Sequence, residues 1–264
     1  MPEGIAVLNK EDRYFEVLSS AAIARGAKVL SYGREGKDIR LLEIRPEANG
    51  QQIDMLIGGI KRSVRLPLIG RFQALNVLCA LGIIIASGGN SENAVEHLKS
   101  LKGVRGRAEL ATRLNNGATV YIDYAHTPDA LKQLLISMRP HTDKNLNLVF
   151  GCGGDRDSGK RAEMGAIAHS LADNVIITDD NPRTEDASLI RGQILRTCRN
   201  AIEIGDRKEA IYKAISNLRA GDLLLIAGKG HELNQIIGDE GLPFNDAEVA
   251  ANAAVNLNTI EAST

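Results

Sequence analysis

The residues best able to do chemistry fall into four short clusters, each directly after an apolar run: Asp123-Tyr-Ala-His-Thr-Pro-Asp129, Gly151-Cys-Gly-Gly-Asp-Arg-Asp157, Asp179-Asp-Asn-Pro-Arg183 and Gly228-Lys-Gly-His-Glu232. In the third, Pro182 stiffens the turn and drives Asn181 toward an extended conformation, which settles where Asp180 and Arg183 point. A carboxylate beside a guanidinium suits a zwitterion: Asp180 can take an ammonium, and Arg183 can clamp a carboxylate through two parallel bonds. Glu232 offers a place for a second ammonium. The bland alternative is an internal surface ion pair between Asp180 and Arg183.

In the second cluster, Gly154 to Lys160 matches the first seven positions of a phosphate-binding loop, Gly-x4-Gly-Lys. The eighth breaks it, because Arg161 stands where Ser or Thr should ligate magnesium, and Asp155 with Asp157 would oppose phosphate oxygens. A polar loop presenting Arg156 and Lys160 to an anionic group is the better reading, with a tight turn of solvated charges as its plain alternative. In the first cluster Thr127 is placed to cap a helix and Pro128 to occupy its first position. The free N–H groups of that helix end favour an anion, while Asp123 could hold a ribose hydroxyl or a metal-bound water; capping with no ligand is equally consistent. His231 means little alone, and His97, His141 and His169 lack metal-like spacing and read as helix or loop surface.

The elements that must position these clusters follow from the apolar runs. Residues 120–122, 146–150, 175–178 and 223–227 are compact aliphatic strands separated by helical segments, the grammar of a parallel sheet covered by helices. In such a sheet ligands bind beyond the carboxyl ends of the strands, so the four polar tails are expected to converge on one crevice. Upstream, residues 38–65 alternate as a β-hairpin about Ala48-Asn49-Gly50. Residues 76–86 read as a helix buried on most sides and closed by Gly88-Gly89, with Ser91 capping the next. Glycines and cations at 102–107 mark a boundary, giving expected domains of 1–103 and 104–264.

Composition bounds the function. The 264 residues, 44% hydrophobic, suffice for two ordinary domains, and 32 basic against 33 acidic side chains leave no field to attract nucleic acid or a membrane surface. Cys79, Cys152 and Cys198 form no CxxC pair, which argues for a reducing cytoplasm over disulfides or structural zinc. No leader or bilayer-spanning run is evident.

Taken together, residues 149–157, 159–161, 178–186 and 228–232 resemble the carboxyl-terminal domain of Mur ligases of the MurE type. Gly106-Arg107-Ala108-Glu109 and residues 122–129 resemble that family's domain junction, and Gly70-Arg71-Phe72 with Asn76 the end of its central ATPase domain. The resemblance implies an α/β protein: a Rossmann-like carboxyl-terminal domain with a parallel sheet, preceded by the end of an α/β central domain. It also implies an ATP- and Mg2+-dependent ligase that adds meso-diaminopimelate to UDP-MurNAc-L-Ala-D-Glu. By that likeness Arg156, Asp180, Asn181, Pro182, Arg183, Gly228 and Glu232 would form the diaminopimelate pocket, and Asn76, Arg107, Asp123 and His126 would serve ATP; no catalytic residue is assigned. Two cations and two carboxylates match the two amino-carboxylate ends of diaminopimelate. Gln73, Arg105, Ser158 and the pair Lys10-Glu11 depart from the family pattern. The family's P-loop and UDP-sugar domain are expected to lie outside this chain, which would then be a fragment, inactive alone: either a truncated or split gene product, or a piece requiring a complementary chain. The rival readings are a non-catalytic amino-acid-binding module and a cyanophycin or folylpolyglutamate synthetase.

Overall fold

The structure, a computed structural model, describes residues 4–261 and separates into two compact units at Lys102/Gly103. In the first unit β1 (Ile5–Asn9) and β2 (Lys28–Gly33) flank α1 (Phe15–Ala24) and pair in parallel. β2 also runs parallel to β3 (Ile39–Glu47), after which the chain turns at Ala48 and Asn49 into an antiparallel meander of β3, β4 (Gly50–Ile57) and β5 (Ile60–Leu66). The expected hairpin is the first half of that meander. Its alternating Ile39, Leu41, Ile53, Met55, Val64 and Leu66 are at most 2% exposed. They pack with Val77, Leu78 and Leu81 of α2 (Arg71–Ala86), as a period-two pattern facing a helix should.

Two local expectations are corrected here. Helix α2 is not buried on most sides, since Ile83 and Ile84 are 53% and 40% exposed; an all-round apolar sequence names no face to hide, and only one face meets the sheet. Helix α3 (Ser91–His97) is capped by Asn90, whose Oδ1 accepts from the Asn93 N–H at 2.9 Å, so Ser91 is its first residue and not its cap.

The second unit carries β6 (Glu109–Arg113), β7 (Thr119–Asp123), α4 (Pro128–Met138), β8 (Leu146–Phe150), α5 (Gly159–Leu171) and β9 (Asn174–Ile177). Then follow α6 (Ala187–Leu195), β10 (Ile202–Glu203), α7 (Arg207–Ser216), β11 (Leu223–Ala227), the hairpin β12 (Asn234–Ile237) and β13 (Glu240–Pro243), and α8 (Asp246–Glu261). The sheet order is β10-β9-β8-β11-β7-β6, parallel throughout except for β6. Insertion of β11 between β8 and β7 sets the carboxyl ends of four consecutive strands side by side, with their polar tails. Both faces of these strands are covered, which is why they read as unbroken apolar runs. Thr127 caps α4 as expected, accepting from the Ala130 N–H at 3.3 Å with Pro128 first in the helix. His141 is a correction: the turn after α4 folds it inward to 8% exposure.

A buried ion pair spaces the tails. Arg207 and Asp246, the first residues of α7 and α8, have fully buried side chains joined by Nε–Oδ1 and Nη2–Oδ2 bonds of 2.8 Å. The same guanidinium donates to the Asp179 carbonyl (3.3 Å) and the Ala227 carbonyl (3.1 Å), the backbone just before Asp180 and Gly228. Arg207→Met would strand the Asp246 carboxylate in the interior, and urea denaturation should show a loss of about 3–5 kcal/mol. Arg207→Met/Asp246→Leu, which leaves neither charge orphaned, should recover most of that loss in the same assay.

Candidate functional site

The tail of β9 is the centre of the site. Asn181 is 3% exposed, and its Oδ1 accepts from Lys229 Nζ and from the Ile236 N–H, both at 2.9 Å. With Oδ1 so occupied, the amide turns Nδ2 toward Glu232, donating to Oε2 at 2.9 Å. Lys229, 0% exposed, also reaches Glu232 Oε2 (3.0 Å) and the Asn234 carbonyl (2.6 Å). Burial pushes the Glu232 carboxyl up, but bonds from Asn181 and Lys229 outweigh it and hold it below the usual range. The hairpin β12–β13 straps the tail: Gln235 Nε2 donates to the Asp180 carbonyl, and Arg183 exchanges backbone bonds with Ile236 and Gly238. Asp180 Oδ1 accepts from the Asn181 N–H at 2.7 Å. Its Oδ2 lies where a side chain on Gly228 would stand, 2.6 Å from an added Cβ, and Gly228 also has φ +114°, so this position requires glycine twice over.

Arg183 has φ +53°, a left-handed conformation uncommon outside glycine and Asn/Asp. The strap holds its backbone there, while its Nη1 donates to the Gly154 carbonyl at 2.8 Å. The tail of β8 is thereby brought against that of β9. Asp155, also left-handed at φ +51°, has its carboxylate accepting from the Thr184 N–H and hydroxyl, and its own N–H donates to Glu185. Glu185 in turn takes two bonds from Arg161, at 2.8 and 2.9 Å. Arg161, 1% exposed, further donates to Gln193 and the Gly153 carbonyl. The residue that broke the P-loop pattern is thus an internal clamp for the loop. Arg156 is exposed, bonding only its neighbour's carbonyl, that of Asp155, among the described contacts. Lys160 donates to the His126 carbonyl at 2.7 Å, tying the β8 tail to that of β7.

On the β7 tail, Asp123 is 8% exposed and accepts from the Ala108 and Ala125 N–H groups, both at 2.8 Å. Burial raises its pKa. Arg107 lies over the Tyr124 ring at 4.6 Å, and the His126 ring stands edge-on to Tyr124 with Nδ1 2.8 Å from the Tyr124 carbonyl. Among the described residues no group of three or more His, Cys, Asp or Glu is arranged to hold a metal ion. Asp123 has both oxygens engaged by backbone N–H groups and is not joined by two further such side chains, so these residues do not fit a magnesium site.

Of the expected residues, Asp180, Asn181, Pro182, Arg183, Gly228 and Glu232 therefore share one network, with Arg156 on the adjoining loop. Arg107, Asp123 and His126 share a second cluster. Asn76 is exposed on α2 of the first unit. Four contributors were given no role in the site from sequence: Lys229, Arg161, Arg207 and Gln235. Lys229 had a signal, since a lysine between two glycines after a fully apolar strand has few ways to reach water. The other three had none short of their partners.

The family model of the Mur ligase middle domain matches residues 1–84, and that of the Mur ligase glutamate ligase domain matches residues 106–230. The chain belongs to the Mur ligase family. Among curated relatives, the UDP-N-acetylmuramoyl-L-alanyl-D-glutamate--2,6-diaminopimelate ligase of Zymomonas mobilis is 48% identical over 96% of this chain and 53% of its own length. That of Caulobacter vibrioides is 46% identical over 92% and 50%. A solved structure of a ligase of that name superposes with TM-score 0.70 at 33% identity, covering 96% of this chain and 53% of the other. Mycobacterium tuberculosis folylpolyglutamate synthase, at TM-score 0.67 and 21% identity, shares the fold. This Mur ligase chain spans about half the length of the curated relatives it matches.

The carboxylates of the site predict an acid limit to the stability of this Mur ligase chain. Glu185 is held below its usual range by the Arg161 bonds and the Asp155 N–H, as Glu232 is by Asn181 and Lys229. A depressed carboxylate stabilises fully above its unfolded pKa, about 4.3, and that contribution is lost as pH falls through the folded value. The difference in melting temperature between wild type and Glu185→Gln should therefore be constant above about pH 5 and shrink below about pH 4 by calorimetry. A difference that grows on acidification would contradict the ion pair.

Proposed function

We propose that the second unit captures meso-diaminopimelate and presents it for amide ligation to UDP-MurNAc-L-Ala-D-Glu, in a cytoplasmic, ATP-dependent step of cell-wall precursor synthesis. The observation that carries this reading is the single network about Asn181: Asp180 Oδ2 stands beside Gly228, Glu232 is bonded by the Asn181 amide, and Arg183 reaches the Gly154 carbonyl of the loop that carries Arg156. Two positive and two negative groups complement a diamino diacid whose ends are each zwitterionic. Such a ligand gives every charge a partner, whereas lysine, lacking the second carboxylate, would leave a guanidinium unmatched. The names of the relatives support the same substrate.

In the reaction implied by the family resemblance, the dipeptide's terminal carboxylate takes the γ-phosphoryl group of ATP. The amine then attacks the acyl phosphate, expelling phosphate and losing a proton. The residues of this unit contribute positioning: they hold the amino acid so that one amine meets the acyl carbon at high effective concentration. Arg107, Tyr124 and His126 offer a cation and ring faces suited to a nucleotide, and Asp123 holds the Arg107 turn to β7 through Ala108. ATP itself would supply the activated phosphoryl group. We place phosphoryl activation and the UDP-sugar contacts in the remaining half of the relatives' length, within a longer polypeptide or a complementary chain. The first unit is then the end of the middle domain and the second the carboxyl-terminal domain. No helix among the described residues is long and apolar enough to cross a membrane.

Calorimetric titration tests the reading. Saturable binding of meso-diaminopimelate is expected, weakened about ten-fold or more by Asp180→Ala and by Arg183→Ala, with L-lysine bound more weakly by the wild type. Equal binding of lysine, or no effect of either substitution, would overturn it. The 264-residue chain alone, mixed with ATP, magnesium and the nucleotide dipeptide, should form no tripeptide above background, because Arg161, which follows the 154–160 loop where a phosphate-binding loop needs Ser or Thr, is committed to Glu185.

A further inference from the structure

Three buried cations hold the second unit's loops, and two have a purely scaffolding set of partners: Arg207 bonds Asp246 and two strand-end carbonyls, and Arg161 bonds Glu185, Gln193 and the Gly153 carbonyl. Lys229 differs. One of its three bonds goes to Glu232, a half-buried side chain 33% exposed at the rim of the pocket. Its other partners are independently secured. Asn181 Oδ1 keeps the Ile236 N–H, and the Asn234 carbonyl belongs to a hairpin strapped by Gln235 and Arg183. Glu232 is the partner with most to lose, because its other bond comes from a neutral amide.

We propose that Lys229 is a positioning residue for the amino-acid site, acting through Glu232. The proposal rests on the diaminopimelate reading given above. The three donors of the ammonium are spent on Asn181, Glu232 and Asn234, so Lys229 has none to offer a ligand. Both bonds to Glu232 end on Oε2, from Lys229 and from Asn181, which pins the carboxylate plane and leaves Oε1 available for a substrate ammonium. Glu232 is thereby kept ionised beside a ligand that also carries carboxylates. The charged groups acting on it are Lys229 in its own turn, Arg183 on the β9 tail and Arg207 at the start of α7, while His231 beside it is exposed. Of these, Lys229 alone is hydrogen-bonded to it among the described residues.

The test is a double-mutant cycle read by calorimetric titration with meso-diaminopimelate from pH 5 to 8, using wild type, Lys229→Met, Glu232→Gln and Lys229→Met/Glu232→Gln. Wild-type affinity should change little across this range. Lys229→Met should bind about ten-fold or more weakly at pH 7 and lose further affinity toward pH 5, because a carboxylate deprived of its ammonium partner takes up a proton more readily. In the Glu232→Gln background the same substitution should cost less than about three-fold and show no added pH dependence. A general packing role predicts instead that the two losses multiply and that the pH profile keeps its shape, which would overturn the proposal. If Lys229→Met does not fold by circular dichroism, the comparison of the double variant with Glu232→Gln decides, and failure of the double variant to fold also counts against a role confined to positioning. Absence of wild-type binding would remove the diaminopimelate reading and take this proposal with it, an outcome distinct from normal binding with an additive cycle.

Discussion

The site depends first on a buried ion pair that touches no ligand group. Arg207 and Asp246 lie at the starts of two helices, fully removed from water, and the guanidinium's remaining donors grip the carbonyls of Asp179 and Ala227. Parallel pairing within the sheet aligns β9 and β11 only up to their ends, and β8 stands between them. Beyond those ends something must dictate how far apart the two tails run. A planar cation with donors in a fixed fork does so in a way that a flexible apolar contact could not. Asp246 matters as the partner that balances this cation, since Asp180 and Glu232 also lie within reach of its field.

The same device recurs around the pocket. Arg161 fastens the β8 tail through Glu185, and Lys229 fastens the β9 and β11 tails through Asn181 and Glu232. Each of these cations is at most 1% exposed, and each is met by a carboxylate together with neutral oxygens. Buried charge on this scale is tolerated only when it is paired and hydrogen-bonded. The unpaired orphan is small: Arg161 Nε is one of two buried side-chain polar atoms without a partner among the described residues. What remains for a ligand is the exposed guanidinium of Arg156, the Arg183 donors other than Nη1, the Asp180 carboxylate and the outer oxygen of Glu232.

Sequence was informative where burial acts on both faces of an element or where a cap has its own chemistry. The strands at 146–150 and 223–227 are continuous aliphatic runs because they are covered on both sides, and Thr127-Pro128 announces its helix by side-chain reach and a preset φ. The hairpin at 234–243 was not legible, since its second strand is exposed throughout and offers no alternation to read. Nor was the two-residue β10, or the bulged β6. Within the candidate site, residue types identified the tails but not their internal economy. Asn181, expected in the pocket, distributes bonds among Lys229, Glu232 and Ile236, partners about fifty residues away in the chain that no local spacing announces.

The left-handed backbone at Arg183 puts two demands on one position. Holding an arginine there works against the backbone preference of residues that carry a side chain, asparagine and aspartate least, by about 1 kcal/mol or more. A library screened for heat resistance would accordingly be drawn toward glycine or asparagine at 183, relaxing the turn while discarding the guanidinium. Ruggedness and substrate capture are opposed at that single codon, so a search for hardier variants of this chain has to select for both together.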